Sequence, residues 1–230
     1  MKEEEVAIII FAQTGKKERI SKHILSSGNG DELLFDFFNK NVESLVIKTQ
    51  LPYFFISEKK QIGCTFGEKI TNAVLSVFSK GYSKVIVVGN DCPQLKARQI
   101  RNAFEALKVN KEVIGKDNRG GAYLIGFTKS NFDSRAFQEL HWQTNRLFDE
   151  LYNLLNTSND IEILPVLYNL NTRAEASFVL KLSSFKSSFR KIILLFLSHH
   201  PARQNVFDQI GTSIIIFYSK GLRAPPLFVL

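Results

Sequence analysis

The sequence has little cysteine and lacks any long apolar run. Its two cysteines, Cys64 and Cys92, do not have the spacing of a metal or redox motif, and two thiols without a disulfide framework suit a reducing compartment. The late apolar run Ile192–Leu197 is far shorter than the ~20 residues that span a bilayer. The acidic start, Lys2–Glu5, argues against a signal peptide. We therefore expect a cytoplasmic protein.

The sequence also lacks the module signatures of nucleic-acid-binding proteins, although it is basic. Lysine and arginine number 30 against 22 aspartates and glutamates, which gives a formal net charge of +8. The densest basic clusters are Lys16, Lys17, Arg19 and Lys22, followed by Lys186, Arg190 and Lys191. Neither cluster is interleaved with exposed-looking aromatic residues as a single-strand platform would be. A phosphate-bearing small molecule explains the excess charge, and no nucleic-acid partner is expected.

Signatures of covalent and P-loop chemistry are missing as well. No serine lies in a nucleophile-elbow context, and the four histidines have neither triad nor metal spacing. The loop after the first apolar run lacks the spaced glycines and the terminal Lys-Ser/Thr of a P-loop. These absences leave little support for covalent catalysis by a nucleophilic side chain, and the chain does not contain a P-loop motif.

What the sequence does have is an alternation of apolar runs and amphipathic stretches. Continuous apolar runs such as Val6–Phe11 and Val85–Gly89 are typical of strands covered on both faces. Further strands are predicted at Leu45–Ile47, Tyr53–Ile56, Val113–Ile114, Tyr123–Phe127 and Ile161–Leu167, and helices at 15–25, 66–78, 96–107, 147–155 and 172–182. This order predicts a three-layer α/β domain over residues 1–182 with a mostly parallel, doubly wound sheet.

The character of the sequence changes after residue 182. Serines alternate with phenylalanines and basic residues before a further apolar segment. We predict that residues 183–230 are a C-terminal extension that packs on the core or forms a homodimer contact. The alternative, which is less favoured, is that Phe185, Phe189 and the neighbouring basic residues lie against an acidic membrane surface.

Three polar segments are predicted at the carboxyl edge of the sheet, where open α/β sheets bind their ligands. Asn90 and Asp91 follow one strand, and Asp91 is well placed to hold Mg²⁺ or Mn²⁺ against a diphosphate. The pair Gly120–Gly121 allows close backbone approach, and the basic segment with Lys16 and Arg19 offers charge and N–H groups to phosphate. Each segment also has a plain structural explanation: a turn cap, a tight turn and a solvated helix face.

Six segments occur in register along the chain: Ala7–Ala12 (AIIIFA), Thr65–Ile70 (TFGEKI), Val87–Leu95 (VVGNDCPQL), Gly115–Phe127 (GKDNRGGAYLIGF), Trp142–Thr144 (WQT) and Tyr168–Ala174 (YNLNTRA). Together, over about residues 6–178, they resemble one family, the bacterial GT-A-fold nucleotide-diphospho-sugar transferase-like proteins, grouped with the arsenosugar-biosynthesis-type glycosyltransferases. Their order and spacing match those of the family. The resemblance implies a Rossmann-like GT-A sheet that binds a sugar nucleotide and a divalent cation.

The resemblance also implies roles for individual residues. Asp91 is similar to the metal or diphosphate aspartate of the family's Asp-Cys-Pro motif, and Gly120–Gly121 to the glycines that admit the donor. Trp142 and Thr144 resemble a Trp-x-Thr element on the acceptor side. Glu68 resembles the glutamate of a Gly-Glu-Arg/Lys element.

The chain departs from the family pattern at three places. Arg119 stands where the family usually has an aspartate, Asn169-Leu170-Asn171 replaces an Asp-x-Asp segment, and the first loop is altered over Thr14–Arg19. With Asp91 as the main acidic ligand left, and Asp117 as a second candidate, cation affinity should fall. Arg119 is then a candidate catalytic residue that could place a permanent charge on the β-phosphate.

Three functions remain open at the level of sequence. The first is a glycosyltransferase that uses a nucleotide-diphosphate-sugar donor. The second is a nucleotidyltransferase of the same fold, which the altered first loop and the missing carboxylates disfavour. The third is a catalytically inactive nucleotide-binding protein. All three share a nucleotide or a nucleotide sugar as the expected partner.

Overall fold

The computed structural model describes residues 5–25, 28–156, 160–180, 190–191 and 193–194. Almost all of the predicted extension at 183–230 lies outside these residues, so its packing stays a prediction. Ile193 is a described exception, because its side chain is buried in a cluster with Leu34 and Phe35. None of the helices described is both long enough and apolar enough to cross a bilayer.

Six strands of the described chain form one sheet. They are β1 (Val6–Phe11), β2 (Tyr53–Ile56), β3 (Lys84–Val88), β4 (Glu112–Asp117), β5 (Ala122–Thr128) and β6 (Ile161–Leu167), in the order β2-β1-β3-β5-β4-β6. β1 is parallel to β2 and β3, and β4 is parallel to β6. β5 runs antiparallel to both of its neighbours, since the connection from β4 is a short turn that cannot make a crossover. The predicted mostly parallel sheet is confirmed.

Helices cover both faces of the sheet and complete the predicted three layers. They are α1 (Gly15–Ser21), α2 (Gly28–Ile47), α3 (Phe66–Phe78), α4 (Ala97–Lys108), α5 (Ser134–Glu139), α6 (Leu147–Leu155) and α7 (Arg173–Val179). α2 and α4 pack on one face, and α3, α5 and α6 pack on the other. β1 contributes alternate residues to the two clusters, which explains why its whole length is apolar.

The predicted strand at Leu45–Ile47 is wrong, because these residues form the last turn of α2. Leu34, Phe38, Val42 and Leu45 recur at intervals of four, four and three residues and are all buried. That spacing is helical. The three residues of the predicted strand, which are all aliphatic, are too few to show this helical spacing.

Two helices begin with a capping box, and one ends earlier than predicted. α3 begins with a capping box in which the Thr65 hydroxyl accepts a hydrogen bond from the Glu68 N–H and the Glu68 side chain accepts from the Thr65 N–H. Thr172 caps α7 in the same way. α1, in contrast, ends at Ser21 rather than at residue 25.

Candidate functional site

A cavity of about 640 Å³ opens at the carboxyl edge of β1, β3 and β4. Its size is ordinary for a small-molecule site. The walls come from the end of β1, the last part of α1, the start of α3, the residues after β3, the β4–β5 turn and the segments 142–145 and 169–171. Six of the predicted site residues line the cavity: Asn90, Asp91, Arg119, Gly121, Trp142 and Thr144.

The end of β3 supplies one buried amide and one carboxylate. Asn90 is buried, and its Nδ2 donates to Asn39 Oδ1 at 2.7 Å, while Asn39 Nδ2 donates to Gln13 O at 2.8 Å. This chain of hydrogen bonds joins β3 to α2 and to the end of β1. Asp91 is partly exposed to the cavity, and its Oδ1 accepts from Lys22 Nζ at 2.7 Å. Asn90 therefore fixes the floor from which Asp91 projects.

Lys22 lies between two acidic side chains at this floor. Its ammonium contacts both Asp91 Oδ1 and Glu18 Oε1. Burial raises the pKa of Glu18, and the attraction of Lys22 offsets this only in part. Burial by itself lowers the pKa of Lys22, but the two carboxylates raise it more, so that the ammonium stays charged. Sequence reasoning placed Lys22 in a basic cluster without assigning it to the site.

The β4–β5 turn is built around the carboxylate of Asp117. Asp117 Oδ1 accepts from the N–H groups of Arg119 and Gly121, both at 2.8 Å, and Oδ2 accepts from Asn169 Nδ2 at 3.1 Å. Gly120 has a φ of +82°, and a Cβ there would collide with the carbonyl oxygen of Asn145. The two glycines therefore let other parts of the protein's own chain, Asn145 and Asp117, come close to the backbone of the turn.

Arg119 projects from this turn toward the cavity. Its side chain is 54% exposed, and its Nη1 lies 3.2 Å from Glu175 Oε1 near the start of α7. The guanidinium has five N–H donors in a planar fork, so one ion pair leaves donors for an anion. The turn therefore presents a permanent positive charge at the cavity, at the position where the family that the sequence resembles usually has an aspartate.

Trp142 and Thr144 also line the cavity. Trp142 Nε1 donates to Phe137 O at 3.0 Å, and its ring lies 4.9 Å from the Phe137 ring and 5.4 Å from the Phe66 ring. Thr144 Oγ1 donates to His141 O at 2.7 Å. These contacts hold the two side chains in place at the cavity, which is a rigid position for contacting a ligand.

Lys16 and Arg19, two predicted phosphate-binding residues, do not line the cavity. Arg19 instead lies 3.4 Å from Glu32 on α2. The N–H groups at the start of α1 are also occupied, since Thr14 N donates to Glu58 Oε2 at 2.8 Å and Gly15 N donates to Asp36 Oδ1 at 2.9 Å. Carboxylates of the protein therefore take the place that the sequence analysis assigned to phosphate.

Glu68 is another predicted site residue that the structure places elsewhere. It lies outside the cavity lining, and its carboxylate accepts from the backbone N–H groups of Cys64 and Thr65. These hydrogen bonds lower the pKa of Glu68, because they stabilise its charged form. In the structure, Glu68 caps the N-terminus of α3.

We expect Thr65→Ala to lower the free energy of unfolding by about 1 kcal/mol, because it removes the hydroxyl that caps α3. Ligand binding at the cavity should not change. Urea denaturation measures the first effect and calorimetry the second. Thr65→Ser is the matched control, since it keeps a hydroxyl, and an equal loss of stability in both variants would contradict the capping role.

The carboxylates at the cavity do not form a cluster that fits a divalent cation. Glu18 and Asp91 both contact the Lys22 ammonium, and Asp117 is occupied by two backbone N–H groups and Asn169. Over the part of the chain that the structure describes, no group of three or more His, Cys, Asp or Glu side chains is arranged to hold a metal. Mg²⁺ is usually bound by one or two carboxylates together with water and substrate phosphates, and here the Lys22 ammonium already contacts Asp91 Oδ1.

The mixed sheet, its two helical layers and a charged cavity at the carboxyl edge define the nucleotide-diphospho-sugar transferase fold of GT-A type. A candidate nucleotide-diphospho-sugar transferase from Desulfovibrio desulfuricans G20 has a similar structure, with a TM-score of 0.71 and 18% identity over 93% of this chain and 98% of that chain. Residues 11–144 match the bacterial family described as "Uncharacterized protein conserved in bacteria (DUF2064)", and the chain belongs to that family.

Two further solved structures show weaker likenesses. Rv0371c of Mycobacterium tuberculosis H37Rv, solved in complex with manganese, has a TM-score of 0.42 and 9% identity over 76% of this chain and 97% of that chain. The 4-diphosphocytidyl-2C-methyl-D-erythritol synthase of Anaerococcus prevotii DSM 20548 has a TM-score of 0.45 and 11% identity over 84% and 97%. Among curated protein sequences, none matches this chain.

Proposed function

We propose that this chain is a glycosyltransferase whose cavity holds a nucleotide-diphosphate-sugar donor. One observation carries the proposal: Lys22, Asp91, Asp117 and Arg119 converge on a single cavity at the edge of a sheet of nucleotide-diphospho-sugar transferase fold. Such an edge is where open α/β sheets bind nucleotides. The Arg119 guanidinium matches the geometry of phosphate oxygens, which favours a diphosphate as the group held there.

In this proposal the two sides of the cavity have different tasks. Arg119 and Lys22 hold the diphosphate, while Trp142 and Thr144 lie toward the acceptor. The bond from the anomeric carbon to the β-phosphate oxygen breaks, and a bond from that carbon to the acceptor oxygen forms. The acceptor proton is released to water, and the nucleoside diphosphate leaves with its charge stabilised by the two cationic side chains.

A thermal-shift panel followed by product analysis tests this proposal. UDP-, GDP-, dTDP- and CDP-sugars and the NTPs are added to the full chain, and a bound ligand raises Tm because it binds only the folded state. Release of a nucleoside diphosphate from a sugar donor supports glycosyl transfer. Release of pyrophosphate from an NTP would replace the proposal by nucleotidyl transfer. Stabilisation without turnover would leave a nucleotide-binding protein, and no shift with any ligand would overturn all three.

We expect Arg119→Ala to weaken nucleoside diphosphate binding by about tenfold or more, because it removes a charge-assisted hydrogen bond to phosphate. Isothermal titration calorimetry measures the change. Arg135→Ala is the matched control, since Arg135 likewise pairs with one glutamate, Glu139 at 3.1 Å, but lies outside the cavity lining. Equal affinities for the Arg119 variant and the wild type would remove Arg119 from the donor site.

A further inference from the structure

The Lys22 ammonium occupies a position that deepens the proposed function. It lies between Glu18 and Asp91 at the cavity floor, with a Nζ to Asp91 Oδ1 distance of 2.7 Å. The Lys22 side chain is only 20% exposed, and the Phe35 ring centroid lies 6.0 Å from Nζ. A lysine that is clamped between two carboxylates and covered on one side has lost most of the freedom of a surface lysine.

The two carboxylates do not use all of the hydrogen-bonding capacity of the ammonium. An ammonium has three N–H donors, and the two carboxylates account for two of them. One donor therefore remains at a group that lines the cavity. A phosphate oxygen of a bound diphosphate is the acceptor whose charge and size suit that donor.

The order of charges along this line matches the one that a metal-dependent diphosphate site uses. In such a site an aspartate holds the cation, and the cation holds the phosphates. Here Asp91 and Glu18 both hold the ammonium of Lys22, and the carboxylate of Asp117 is engaged by backbone N–H groups and by Asn169. Arg119, which also lines the cavity, adds a second fixed charge.

We propose, on the basis of the proposed function, that Lys22 serves as a built-in cation, so that this chain binds the donor diphosphate without a divalent metal. The protein's own ammonium then supplies, together with Arg119, the positive charge that offsets the diphosphate. Glu18 and Asp91 are positioning residues in this arrangement, because they hold Nζ in place rather than contact the phosphates.

Calorimetric titration of the full chain with pyrophosphate tests the inference without knowledge of the nucleotide base. We expect the Kd in EDTA to equal the Kd with Mn²⁺ within about twofold, and Mn²⁺ alone to give no binding heat. A Kd that improves by about tenfold or more with Mn²⁺ would overturn the built-in cation and leave the proposed function standing. If pyrophosphate does not bind under either condition, the diphosphate site itself fails and both proposals fall.

Variants assign the effect to Lys22. The double variant Glu18→Gln/Lys22→Met removes both members of the Glu18–Lys22 ion pair. It therefore removes the ammonium without leaving a buried, unpaired carboxylate at position 18. We expect it to weaken pyrophosphate binding in EDTA by about tenfold or more. Lys17→Met is the matched control, because Lys17 is an exposed lysine of α1 outside the cavity lining. Equal losses in the double variant and the control, or no loss in the double variant, would contradict the proposal.

Discussion

Lys22→Met is expected to lower the free energy of unfolding by about 3 kcal/mol at neutral pH, since removal of one member of a buried ion pair leaves an uncompensated charge. Glu18 is the charge concerned, because it is 5% exposed and has Lys22 as its ion-pair partner. Asp91 is more exposed and can be solvated, so it contributes less to the penalty. Urea denaturation of the variant and the wild type measures the difference.

The loss should depend on pH in a defined direction. The pKa of Glu18 is already raised above its ordinary value of 4.5 by burial, and without Lys22 it rises further. A carboxyl group with a raised folded-state pKa favours the folded state fully below pH 4.5, and this contribution is lost as pH rises through the folded-state pKa. The destabilisation by Lys22→Met is therefore largest at neutral pH and shrinks toward pH 4.5.

The double variant Glu18→Gln/Lys22→Met controls for this interpretation. It removes the buried carboxylate together with its cation, so most of the lost stability should return. If the double variant is as unstable as Lys22→Met at neutral pH, the penalty comes from lost packing of the lysine stem rather than from the charge of Glu18.

Gly120→Ala is expected to cost about 3 kcal/mol of stability and to abolish diphosphate binding. The residue has a φ of +82°, and an added Cβ would meet the backbone of Asn145, which cannot move away as a flexible side chain can. The turn must shift, and the Asp117 hydrogen bonds to Arg119 and Gly121 shift with it. Denaturation and calorimetry measure the two effects.

Gly81→Ala is the matched control for the glycine variant. Gly81 also has a positive φ, +98°, but a Cβ there would have no atom within 4 Å. It should show only the cost of a left-handed alanine, about 1 kcal/mol, with binding unchanged. If the two variants are equally stable, the contact with Asn145 is not what requires a glycine at position 120.

The sheet and most helices could be predicted because their signals are local. The apolar run of β1 reports burial on two faces, and the apolar face and capping residues of α3 are present in one short stretch of sequence. α2 was missed because its apolar positions are spread over twenty residues and interrupted by charged ones. The reversal of β5 follows from the length of a single turn.

The candidate site was predictable only in part, for a physical reason. Asp91, Arg119 and Gly121 follow strands, so the edge of the sheet collects them whatever their detailed contacts. The pairing of Lys22 with Asp91 joins residues 69 positions apart, and that of Thr14 with Glu58 joins residues 44 positions apart. No local pattern reports such pairs. The spacing of Glu18 and Lys22, four residues apart on one helix, was the one signal that pointed toward this cluster.

The position of Trp142 makes the cavity directly observable by spectroscopy. It is the only tryptophan in the sequence, and its indole ring is part of the cavity wall. Indole emission responds to the water around the ring, so a molecule that displaces water from this wall changes the fluorescence of the whole protein without a background from other tryptophans. Occupancy can therefore be followed by intrinsic emission, with no label and no engineered residue.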